Sequence, residues 1–134
     1  VSAFASASVL RTGLYPWQDR MLDAAGWIRR HTPEDATIGS LNAGIYGYYT
    51  RRTVLNLDGV VNPAAYEAIR ERRLFEYIQD AGIDYFLDFD HALQQEYARF
   101  MGPGYPEGLV FLDRAAPTPY PVLGTIRAYR VADS

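Results

Sequence analysis

Trp17, Met21, Ala24, Ala25 and Ile28 fall three or four residues apart, the spacing that lines up one apolar face of a helix. Tyr15-Pro16 opens this predicted helix, because proline at the first helical position gives up only an N–H that has no partner there. Asp19 lies in its first turn and Arg29, Arg30 and His31 in its last, as the helix dipole favours; Thr32-Pro33 ends it. The pattern then changes. A short apolar run at residues 36–41 (ATIGSL) reads as a first strand, followed by a polar turn carrying Asn42, Gly44 and Gly47 and then an aromatic segment. Residues 54–57 read as a second strand, closed at once by Asp58-Gly59.

Asn62-Pro63 combines a capping side chain with a helix-starting proline, and Tyr66, Ile69 and Leu74 carry the apolar stripe that follows. A second helical piece covers residues 74–81, with Gly82 placed to end it in a left-handed conformation. Residues 83–89 (IDYFLDF) predict a third strand, so a helix lies between strands two and three, as in a right-handed parallel crossover. Residues 91–101 predict a helix with Leu93, Tyr97 and Phe100 inward, and the glycine- and proline-rich residues 102–108 a loop. Residues 109–113 and 122–131 predict strands across a connection holding Pro117, Pro119 and Pro121, long enough for an antiparallel edge pair. The expected fold is therefore α/β: a three-layer, Rossmann-like domain over residues 15–134, with a mainly parallel central sheet and an antiparallel C-terminal edge. Residues 1–14 form an N-terminal connector. Its small apolar start is too short to span a bilayer and reads either as a frayed terminus or as a juxtamembrane segment.

Composition narrows the chemistry. The net charge is −3 and the basic clusters lie among acids, so nucleic acid is not an expected partner. All 13 basic residues are arginine, which removes the P-loop lysine and the Schiff-base lysine. The absence of cysteine removes disulfides, thiolate metal sites and cysteine nucleophiles. Gly39-x4-Gly44 has a P-loop outline, but Ile45 and Tyr46 stand where lysine and a hydroxyl residue are required. Ser40 lacks the G-x-S-x-G elbow of a hydrolase nucleophile, and His31 and His91 lack the spacing of a two-histidine metal site.

Two candidate constellations remain. Asp88-Phe89-Asp90 places two carboxylates two residues apart, on one side of a strand, where Asp58 could join them around magnesium or manganese. The plainer reading makes Asp90 the cap of the helix starting at His91. The second constellation is a rim. In open α/β sheets ligands bind outside the carboxyl ends of the strands, and Asn42, Asn56, Asp58, Asn62 and Asp88 all fall at predicted strand ends. With Tyr46 from the aromatic segment and Asp90, they form a candidate binding set suited to a sugar, amides and carboxylates around its rim and rings on its face. No catalytic residue, metal or cofactor is assigned.

The stretches SLNAGIYGYY (residues 40–49), VLNLDGVVNPAAYEAI (54–69) and AGIDYFLDF (81–89) resemble the soluble C-terminal domain of bacterial polytopic membrane proteins of the glycosyltransferase-like kind, the dolichyl-phosphate-mannose and aminoarabinose transferases. The resemblance covers residues 17–131 and is strongest at residues 56–62 (NLDGVVN), where Asp58 and Asn62 match the recurring motif. It implies a parent enzyme whose catalytic carboxylate lies between early membrane helices, outside this chain, and whose donor is a polyprenyl-phosphate sugar. It implies equally that this domain faces the periplasm or cell exterior, linked to a transmembrane region. The expected role is a non-catalytic extracytoplasmic accessory domain that positions a glycan, a lipid-linked sugar or an acceptor. Two alternatives come from other classes: a soluble metal-dependent enzyme using Asp58, Asp88 and Asp90, and a protein-interaction module presenting an exposed Tyr/Phe patch.

Overall fold

The computed structural model describes residues 16–116 and 124–133. Helix α1 (Pro16–His31) leads to β1 (Thr37–Ser40), the short helix α2 (Gly44–Tyr49) and β2 (Thr53–Asn56). Helices α3 (Pro63–Arg70) and α4 (Leu74–Asp80) lead to β3 (Tyr85–Phe89). A π-helical turn (Ala92–Tyr97) continues as α5 (Ala98–Met101), and β4 (Leu109–Ala116) and β5 (Ile126–Val131) complete the chain. The N-terminal connector and the linker with Pro117, Pro119 and Pro121 lie outside the described residues.

The five strands form one sheet in the order β2-β1-β3-β5-β4. β1 pairs in parallel with β2 and β3, whereas β5 runs antiparallel to both β3 and β4. The sheet is thus only partly parallel, which corrects the expectation of a mainly parallel one: the C-terminal pair adds as many antiparallel ladders as the crossovers add parallel ones. β5 is inserted between β3 and β4, so β4 holds the edge.

Side chains alternate across a strand, and both faces of this sheet are packed. On one face, Met21, Ala24, Trp27 and Ile28 of α1 meet Ile38, Leu87, Phe89, Ile126 and Ala128. On the other, Ala68, Leu74, Phe75 and Ile78 meet Leu57, Phe86, Leu109 and Val131. Each fully buried Phe or Leu contributes roughly 1.5–3 kcal/mol relative to exposure, and this apolar burial holds the helices in place. Gly39 serves packing rather than phosphate binding. A Cβ there would stand 2.9 Å from Leu57 Cδ1 and 3.0 Å from Ile83 Cδ1, so glycine lets these two side chains pack directly against β1, and a larger residue would have to displace their tips.

Two local expectations change. Residues 44–49 form helix α2, not a glycine turn, with Tyr46 buried; the Thr50 hydroxyl and amide both donate to the Tyr46 carbonyl and close its end. The expected helix after β3 is instead wound with π geometry over Ala92–Tyr97. The start of α3 follows expectation: Pro63 opens it, and Asn62 Oδ1 accepts the Ala65 N–H at 3.2 Å.

Candidate functional site

β1 sits between β2 and β3, so the chain leaves β1 toward one neighbour and returns to the other side of it. The connections diverge at the carboxyl ends of β1 and β3, and such a switch point leaves a crevice. A cleft of about 470 Å³ lies there. Leu41 and Asn42 line it from the end of β1, Asp58 from the end of β2, and Asp88 and Phe89 from the end of β3. Trp17 at the start of α1 and His91, Ala92, Glu96 and Tyr97 of the π-turn region complete its wall. The three expected rim residues Asn42, Asp58 and Asp88 are therefore brought together.

They differ in what each can offer. Asp88 is only 2% exposed, and its carboxylate is surrounded by donors. Oδ2 accepts Ser40 Oγ–H at 2.9 Å, Leu41 N–H at 2.7 Å and Asn42 N–H at 3.2 Å, while Oδ1 accepts Phe89 N–H at 2.8 Å. Burial pushes its pKa up to about 6 from 3.8, against these four donors, each of which favours the anion. Asp88 fixes the β1 exit that forms the cleft floor. Asp58 is half-buried and uses Oδ1 to accept Val60 N–H at 2.8 Å in a tight turn. Asn42 is exposed on the cleft wall.

Four residues of the expected set lie elsewhere. Tyr46 is 1% exposed within the α1-side core, since α2 turns its ring inward; burial, and then the Asp88 charge, hold its phenol well above the usual range. Asn56 Oδ1 accepts Asp58 N–H at 2.9 Å, so its amide shapes the turn. Asn62 caps α3, and its Nδ2 donates to Asn56 O at 2.9 Å and Tyr77 Oη at 3.0 Å. Asp90 neither caps a helix nor joins Asp88. β3 ends at Phe89, the two-residue alternation stops there, and Asp90 turns to β5, where it accepts Thr125 N–H at 3.2 Å and pairs with Arg127 at 3.5 Å. Asp58, Asp88 and Asp90 accordingly make no metal centre; among the described residues no group of three or more His, Asp or Glu is placed to hold an ion.

Trp17, His91, Glu96 and Tyr97 line the cleft without having been expected there. Trp17 and Tyr97 had been read as core-facing, because both fit an apolar α-helical stripe. Burial first, then the charges of Asp58, Glu96 and Asp88, raise the Tyr97 phenol above 10.0, so it stays a neutral donor beside acids. Among the described residues the lining carries three carboxyl groups and no arginine. An anion would be repelled from such a wall, whereas hydroxyl groups would find acceptors and two aromatic faces. A smaller cleft of about 300 Å³ opens at the opposite edge, against Asp84 and Arg130, but Asp84 there is engaged by the Thr37 N–H at 2.9 Å.

Fold and cleft together define a mixed α/β domain with a crevice at the switch point of its sheet. Over residues 11–132 the sequence matches the family described as a domain of unknown function, DUF8728, and the chain belongs to that family. No curated protein matches it.

Proposed function

We propose that this chain is a non-catalytic accessory domain that holds a neutral polyhydroxyl ligand, a glycan or glycan acceptor, in the crevice at the carboxyl ends of β1 and β3. The observation that carries this is the lining: Asn42, Asp58 and Glu96 beside the rings of Trp17 and Tyr97, with no guanidinium among the described residues. Sugar hydroxyls need acceptors and amides, the C–H faces of a pyranose need flat apolar rings, and concave sites of this mixed lining are the ordinary form of small-ligand pockets. Among the described residues the lining offers no serine, threonine, lysine or arginine, which favours holding over turnover.

The finer fold reading belongs to this proposal. A three-layer, Rossmann-like arrangement is supported by the packing of both sheet faces and by the β2-β1-β3 order. The extracytoplasmic placement, in a membrane-bound glycosyltransferase-like parent, is supported by the sequence resemblance at residues 40–69 and 81–89. No helix among the described residues is long and apolar enough to cross a membrane, so in this proposal the anchor is another part of the parent.

Saturation-transfer NMR with a panel of methyl glycosides tests the site. Transfer from at least one glycoside, lost in Trp17→Ala, is expected. Absence of transfer from the whole panel, or transfer indifferent to Trp17→Ala and Asn42→Ala alike, would overturn the proposal. Protease accessibility of the domain in intact cells tests the placement, with cleavage from outside expected.

A further inference from the structure

The cleft-facing residues after β3 are not spaced as an α-helix would space them. His91, Ala92, Glu96 and Tyr97 line it together, at positions i, i+1, i+5 and i+6. With 3.6 residues per turn, an α-helix would carry residue i+5 roughly 140° around its axis and group i with i+3 and i+4 instead. Winding with i→i+5 bonds over Ala92–Tyr97 brings these side chains onto one face. The same turn sends Leu93 into the core, at 3% exposure, and leaves Gln94 and Gln95 outside. π-turns are rare, and they concentrate at functional sites.

The consequence is a pair. His91 Nε2 stands 3.8 Å from Glu96 Oε1, with the two side chains 41% and 59% exposed. That separation exceeds a hydrogen bond, so neither group consumes the other's capacity. A carboxylate only accepts, and a neutral imidazole can donate from one nitrogen. Two neighbouring hydroxyls on one ring supply the complementary set: one O–H donated to Glu96, one oxygen accepting from His91. Tyr97, next on the same face, can lie beside the ring that carries them.

We infer that the π-turn serves to set His91 and Glu96 side by side as a two-pronged reader of adjacent hydroxyls, an inference that rests on the polyhydroxyl reading of the cleft. His91 and Glu96 are the specificity-determining residues of the site, and the π winding is what makes these residues, five apart, neighbours.

Two variants and one pair of probes test it. The probes are a methyl glycoside that binds the wild-type protein and its deoxy derivative lacking one of two adjacent hydroxyls. His91→Ala and Glu96→Gln should each weaken the parent glycoside about tenfold or more, the size expected for a lost charge-assisted hydrogen bond. The wild-type protein should discriminate against the deoxy probe by a similar factor, and Glu96→Gln should erase that discrimination. If the wild-type protein binds no glycoside, the polyhydroxyl reading falls and this inference with it. If it binds, but the two point variants keep both affinity and discrimination, the reader alone is overturned.

Discussion

Ser40 Oγ donates to Asp88 Oδ2 at 2.9 Å across 48 positions of sequence, joining the end of β1 to the end of β3 beneath the cleft. Both residues are buried, at 0% and 2% exposure, so the contact is shielded from water. The same Oδ2 receives the Leu41 and Asn42 N–H groups, which makes Asp88 the anchor of the β1 exit.

Ser40→Ala should therefore destabilise the protein by about 1–3 kcal/mol near neutral pH, because a buried anion loses a donor that water cannot replace. Urea denaturation at pH 7 measures the change. A loss under a few tenths of a kcal/mol would mean that the carboxylate is better solvated than its burial indicates.

The raised pKa of Asp88 carries a signed pH dependence. The folded carboxyl keeps its proton up to about 6, whereas the unfolded one releases it near 3.8. Between these values the folded state binds more protons, so the Asp88 contribution is fullest below 3.8, declines as pH rises through 6, and is level above. The decline is on the order of 3 kcal/mol, from a shift of about two pKa units at 1.36 kcal/mol each. Asp88→Asn removes the titrating group, and the difference between wild-type and variant stability curves from pH 4 to pH 7 should show this slope. A difference that is flat over that window, or rises with pH, would contradict it.

Asn62 joins three segments: it caps α3 at Ala65, and donates to the Asn56 carbonyl and the Tyr77 hydroxyl. Asn62→Ala loses the cap and leaves two part-buried groups unpaired, for an expected cost of about 1–3 kcal/mol. Amide hydrogen exchange adds a local reading. Ala65 N–H should exchange faster in the variant by more than amides of α1 do; a uniform change would show that Asn62 acts only through global stability.

How much of this was legible in the chain varies with the range of the interaction. Asn62-Pro63 marked a helix start correctly because a cap and its target are three residues apart. Gly82 marked the end of α4 for the same reason, and adopts φ +71 as expected. Asp90 was misread, as a carboxylate beside Asp88 and as a helix cap, because its partners Thr125 and Arg127 lie far along the chain and only the pairing of β5 with β3 brings them to it. Tyr46 was misread because the residues around Gly44 and Gly47 looked like a turn, whereas burial of the Tyr46 ring against the α1-side core favours a helix there.

The sequence by itself determined the elements of this protein: apolar spacing, caps and prolines act within a few residues and leave their mark in local order. It also determined that Asn42, Asp58 and Asp88 would share one end of the sheet, since parallel strands bring like ends together. The tertiary structure alone decided that Asp88 would be enclosed by Ser40, Leu41 and Asn42, and that Trp17 would close the crevice from a distant helix. It also decided that the segment after β3 would wind as a π-turn, bringing His91 beside Glu96. Those outcomes depend on burial and on backbone winding, energies summed over residues far apart in the chain, and no short stretch of sequence displays them.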